Sequence, residues 1–187
     1  LRIVDYLEHP YPDFRGLNLT RPVRECLARH ETRYDVPAAA DFRDDRLCCL
    51  EGQLVDLADE IAYTASDLED AIVARRVTLE ELDELDLWRR AYEEVAAWRP
   101  DARDVHKKIR ARRHVLAILV DDVVAQTRRN LDLLAPAGPD DVREAPEKTA
   151  GFSGDVGASL EQMQAFLVRR VYRAGPTLEA DRAGQRT

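Results

Sequence analysis

The sequence predicts an all-α fold, on three observations. From Leu54 to Ile72 apolar residues recur at the helical period: at about 100° per residue, Leu54, Leu57, Ala58, Ile61, Ala65, Leu68 and Ile72 share one side. No stretch of useful length shows the two-residue alternation of a half-buried strand. Helix-opening and helix-closing residues also punctuate the chain, among them Pro22, a Thr78-Leu79-Glu80-Glu81 capping box and Pro100.

Taken in order, Leu1, Val4 and Leu7 stand at helical spacing and read as the tail of an amphipathic helix, as if the chain were a fragment of a longer one. The tail ends at HPYPDF, because Pro10 and Pro12 cannot continue a helix. Thr20 is the candidate N-cap of a short helix that carries Pro22 in its first turn and runs to about His30. Residues Glu31 to Arg46, rich in Asp, Pro and Ala, predict a loop, and the central helix then starts near Leu50 and runs to about Arg75. The capping box at Thr78 opens a short helix, and a second, Leu87 to Trp98, closes at Pro100. Asp101 is the expected cap of a long helix reaching about Leu134. Residues 135–157, bearing Pro and Gly, predict a mobile connection; Ser159 then starts a final helix, and the last dozen residues are expected to fray. No internal repeat is evident, and residues 1–187 read as one helical domain.

Composition narrows the function classes. A chain of 187 residues can bury a full core, and 45% hydrophobic with 34% charged residues describes a globular protein rather than a disordered one. No apolar run approaches the length of about eighteen residues that a membrane span needs, and LRIVDYLEHPYPDF lacks the basic flank and apolar core of a signal peptide. A formal charge of −8 does not indicate a nucleic-acid partner, since phosphate backbones reward clustered Lys and Arg. Three cysteines, Cys26, Cys48 and Cys49, give an odd number without C-x-x-C spacing, which fits reduced thiols in a cytoplasmic protein better than a disulfide frame or a structural zinc site.

The central helix is the chemically informative stretch. Opposite its apolar side lie Asp56, Asp59, Tyr63, Asp67 and Asp70, and Asp59, Tyr63 and Asp67 follow at i, i+4 and i+8, one turn above another. A carboxylate suits a divalent cation, a phenol packs on a sugar or base while donating a hydrogen bond, and a second carboxylate accepts from a sugar hydroxyl. The plain alternative is an acidic face that is wetted surface.

In the long helix, Val105, Ile109, Leu116, Val120 and Val123 predict an apolar stripe into which Arg113 projects. A guanidinium there needs a carboxylate of the acidic helix or a ligand phosphate, and spacing leaves both open. Lys107, Lys108, Arg110 and Arg112 flank it and are expected to be solvated unless they add phosphate contacts. None of His9, His30, His106 and His114 stands at a metal-binding spacing, and His30 is accounted for by the orphan carbonyls at a helix C-terminus. Trp88, Trp98 and Tyr92 stand at core spacings. No Gly-rich phosphate loop, nucleophile elbow or zinc ribbon occurs.

In chain order, GLNLT ending at Thr20, LARHE (27–31), LEGQLVDLADEIAYTASDLEDAI (50–72) and FLVRRVY (166–172) resemble the deoxyguanosinetriphosphate triphosphohydrolase family of the HD-domain superfamily. The A-D-E-I-A-Y element followed by D-L-E-D-A is the most specific part. The resemblance implies part of an HD-domain-like helical bundle. It also implies a usually oligomeric enzyme, here a homo-oligomer, that uses a divalent metal ion to hydrolyse a deoxynucleoside triphosphate to deoxynucleoside and triphosphate. On it, Asp59 matches the last metal ligand, Tyr63 and Asp67 match the deoxyribose contacts, and Arg113 matches a phosphate-binding basic residue. Ser66 stands where many members carry histidine. The family's metal-binding His, its His-Asp dipeptide and its catalytic His are absent from these 187 residues, so the chain alone is expected to be inactive and to hold no catalytic residue. The competing class is a helical interaction or regulatory module that keeps the scaffold without catalysis.

Overall fold

The computed structural model describes residues 1–30, 42 and 46–172. Most of the expected loop at 31–46, and the expected frayed terminus, lie outside the described residues. Every regular element among the described residues is helical, as the periodicity predicts: α1 (Arg21–Arg29), α2 (Leu50–Val73), α3 (Asp86–Trp98), α4 (Asp104–Leu134), α5 (Pro139–Arg143) and α6 (Gly154–Leu167). The expected helical tail at the start is a single π-helical turn, Ile3–Leu7, with no buried residue. Arg75, with φ of 55°, takes the left-handed conformation just beyond α2. The long helix α4 begins at Asp104 rather than at an Asp101 cap, and α6 begins at Gly154, so Ser159 lies inside it. Within residues 135–157 the structure has the short α5 and buries Val142, Thr149 and Ala150.

The chain divides into two compact units, one of residues 1–60 and 126–151, the other of 61–125 and 152–187. The first is tied by polar groups. Arg24 donates from Nε and Nη2 to the two carboxylate oxygens of Asp5 at 2.8 and 2.7 Å, a bidentate pair. Gly16, at φ +80°, is required there, because an added Cβ would lie 2.4 Å from the Asp5 carbonyl oxygen. Glu25 receives Arg143 and Arg29, with Nη2 of Arg143 at 2.8 Å. Burial alone would raise the Glu25 pKa, but the hydrogen bonds and charges of these two arginines outweigh it and hold the carboxyl below its ordinary value.

Gln53, 1% exposed, is the buried hub of this unit. Its side-chain amide donates to the Cys48 carbonyl at 2.8 Å, and its carbonyl oxygen accepts from the backbone N–H groups of Thr149 and Ala150 at 2.8 and 3.1 Å. Gln53→Leu keeps the volume but orphans three backbone groups. A loss of about 3 kcal/mol is therefore expected, seen as a lower denaturant midpoint at unchanged slope.

The second unit carries an apolar core. Ile61, Leu68 and Ala71 of α2 are buried, together with Leu82, with Leu87, Trp88, Ala91 and Val95 of α3, and with Val156, Leu160, Met163 and Leu167 of α6. The capping box forms reciprocally: Thr78 N–H donates to Glu81 Oε2 at 2.8 Å and Glu81 N–H to Thr78 Oγ1 at 3.3 Å. It opens a 3-10 turn, Glu81–Glu84, rather than an α-helix. Trp88 is fully buried with its indole N–H on Asp83, whereas Trp98 is 61% exposed and flanked by the guanidiniums of Arg99 and Arg110. Core spacing therefore held for one tryptophan and failed for the other. Tyr92 is half-buried, and its hydroxyl donates to Asp104 at 2.5 Å, which with burial raises the phenol's pKa.

The burial phase of α4 differs from the expected one. Ala111, Val115, Ile118, Leu119 and Val123 are buried, while Val105, Ile109, Leu116 and Val120 are 42–49% exposed. Of the expected stripe only Val123 faces the core. Arg113 accordingly lies exposed, and the arginine that α4 half-buries is Arg112, one position earlier.

Candidate functional site

The acidic face of α2 meets a base from α1. His30 ends α1, and its Nδ1 donates to Asp56 Oδ1 at 2.6 Å while its Nε2 stands 3.6 Å from Asp59 Oδ2. Asp56 and Asp59 are three residues apart on a helix, so both carboxylates lie on one face and a single imidazole spans them. Lys148 Nζ approaches the other oxygen of Asp56 at 3.6 Å. The Asp59 side chain is 56% exposed and keeps an open side toward solvent. His30 is thus more than a ring satisfying helix-end carbonyls. Nothing local flags it, because its partners lie 26 and more residues on.

Tyr63 and Asp67 continue from Asp59 at one-turn intervals along the same helix. Tyr63 is 45% exposed and Asp67 half-buried. Arg113 stands on a different helix, exposed, and makes no hydrogen bond or ion pair among the described residues. Its neighbour Arg112 reaches Glu69 at 3.1 Å, leaving its buried Nε without a hydrogen-bond partner. The flanking cations are engaged: Lys108 with Glu80 and Asp104, Lys107 with the Pro100 carbonyl, Arg110 with the Trp98 ring.

A divalent cation matches the donor chemistry of the Asp59 carboxylate, beside which the His30 imidazole nitrogen stands 3.6 Å away as a positioning group. One carboxylate is fewer donors than a tightly held catalytic ion uses. Among the described residues, the one set of three or more His, Cys, Asp or Glu ligand atoms gathered within 4.8 Å is Cys26, Cys48 and Cys49. Burial, reinforced by the neighbouring thiols, pushes the Cys26 thiol well above the usual thiol range. Cys26 and Cys49 open onto a cleft of about 690 Å³ that is rimmed by Arg21, Arg46 and Arg143.

No protein-family model matches the chain. Curated relatives do. A deoxyguanosinetriphosphate triphosphohydrolase-like protein of Bordetella pertussis is 36% identical over 177 residues, covering 92% of this chain and 46% of the relative. Proteins of the same name from Geobacter sulfurreducens and Syntrophus aciditrophicus are 32% and 33% identical, again over 92% of this chain and 45% of each relative. The chain spans about half the length of the curated relatives it matches. An all-helical chain that aligns over nine-tenths of its length at this identity belongs to the deoxyguanosinetriphosphate triphosphohydrolase-like family.

Proposed function

We propose that this chain is part of a metal-dependent hydrolase that converts a deoxynucleoside triphosphate, dGTP or another, to deoxynucleoside and triphosphate. The observation that carries the reading is the register of Asp59, Tyr63 and Asp67 on one helix face, with His30 set against Asp59. Asp59 supplies one carboxylate ligand to a divalent ion such as Mg or Mn, and His30 limits the rotation of that carboxylate. A bound divalent ion lowers the pKa of a coordinated water and neutralises phosphate charge. Tyr63 packs on the deoxyribose, Asp67 accepts from its hydroxyl, and exposed Arg113 is free of competing carboxylates to meet phosphate oxygens. The remaining ligands come from parts of the parent protein outside these 187 residues, and the parent is a cytoplasmic homo-oligomer.

The test compares two proteins. With Mn and dGTP, the full-length parent is expected to release triphosphate in a chelator-sensitive way, and the 187-residue chain to release none. Turnover by the chain alone would refute the shared-ligand scheme; no turnover of any dNTP by the parent would refute the enzyme reading. A second reading, a helical interaction module, is favoured by the half-exposed apolar row Val105, Ile109, Leu116 and Val120 on α4. It gains only if the parent is inactive.

A further inference from the structure

The three cysteines, 22 and 23 residues apart in sequence across the α1–α2 connection, converge at the start of α2. Cys26 Sγ lies 3.4 Å from Cys49 Sγ and 3.8 Å from Cys48 Sγ, and all three sulfurs fall within 4.8 Å of one another. A zinc–thiolate bond of about 2.3 Å in tetrahedral geometry sets neighbouring sulfurs about 3.8 Å apart. The sulfur triangle therefore already has roughly the dimensions of one face of such a site.

Two further features suit a ligand set. Gly52, in the first turn of α2, is the floor beneath the sulfurs: an added Cβ would lie 2.4 Å from Cys48 Sγ and 2.9 Å from Cys26 Sγ. Helix propensity favours alanine over glycine at such a position, so the glycine is explained by the room that the thiols take. Cys26 and Cys49 also line the open cleft, which gives an ion a path in and leaves a fourth position for water.

We propose that Cys26, Cys48 and Cys49 form a binding site for a thiophilic metal ion, zinc in the first instance, separate from the acidic face of α2. Soft thiolate donors select such ions over the hard cation suited to Asp59. Binding replaces three S–H protons, released to solvent, with three metal–sulfur bonds, and no oxidation is involved.

The 187-residue chain, reduced with a phosphine and stripped with chelator, is titrated anaerobically with Co(II) as a spectroscopic stand-in. A thiolate-to-cobalt charge-transfer band is expected to saturate at one ion per chain and to bleach on addition of one equivalent of Zn(II). Cys49→Ser should lower affinity at least about 100-fold and Gly52→Ala at least about 10-fold, with the helical circular dichroism of both variants retained. Absence of the band, or equal affinity in both folded variants, would overturn the site. Bleaching by Cu(I) but not by Zn(II) would overturn the choice of zinc. Recovery of the chain with a Cys26–Cys49 disulfide that, once reduced, takes up no metal would also overturn it.

Discussion

In the full-length parent, Asp59→Ala is expected to lower metal-dependent hydrolysis of a deoxynucleoside triphosphate by about three orders of magnitude, the size of roughly 4 kcal/mol of lost transition-state stabilisation. The residue is more than half exposed on the polar face of α2, so its removal leaves no cavity and the melting temperature should hardly move. What is lost is a negative oxygen donor, and Asp59→Asn should fail similarly, since a neutral amide holds a divalent ion far less well. His30→Ala provides the graded comparison. It removes a group that steadies the ligand rather than the ligand, and a loss of about 10- to 100-fold is expected, partly recovered at high metal concentration. Initial rates of triphosphate release across a metal titration measure all three. Full activity in Asp59→Ala would strike Asp59 from the metal site and leave His30 as an ordinary ion-pair partner of Asp56.

That site was half legible in the sequence, and the division follows from range. The register of Asp59, Tyr63 and Asp67 needs only the helical repeat, and α2 runs Leu50–Val73 close to the range predicted. The Thr78 capping box is equally local, and it forms with both hydrogen bonds. His30 against Asp56, and Arg143 against Glu25 at a separation of 118 residues, depend on how elements pack, which no local pattern encodes. The cysteines are the same case: without C-x-x-C spacing the sequence reads them as reduced thiols rather than a zinc site, yet the fold gathers them.

The error in α4 has another cause. That helix is apolar on two flanks, one of Val105, Ile109, Leu116 and Val120, the other of Ala111, Val115, Ile118 and Leu119. Periodicity detects a stripe but cannot say which of two meets the core. Choosing the first put Arg113 where Arg112 belongs. Trp98 shows the same limit, since its spacing suggests a core position while two arginines stack on it at the surface.

The largest expected loss of stability comes from Leu68, which is 0% exposed in the core of the second unit. Leu68→Ala should cost about 3 kcal/mol from lost transfer energy and the cavity left behind. Leu68→Asp adds to this the burial of a carboxylate with no arranged partner, so a loss above about 5 kcal/mol is expected, comparable to the whole stability of many domains. The variant should then show reduced helical circular dichroism and no cooperative melt. Val55→Asp on the same helix is the control: Val55 is 57% exposed, and an added charge there should change stability by no more than about 0.5 kcal/mol. The contrast separates the two faces of α2 without any assay of activity. If Leu68→Asp melted like the parent sequence while Val55→Asp unfolded, the assignment of the two faces would have to be reversed, and Asp59, 56% exposed on the helix that carries both, would have to be looked for on the packed side.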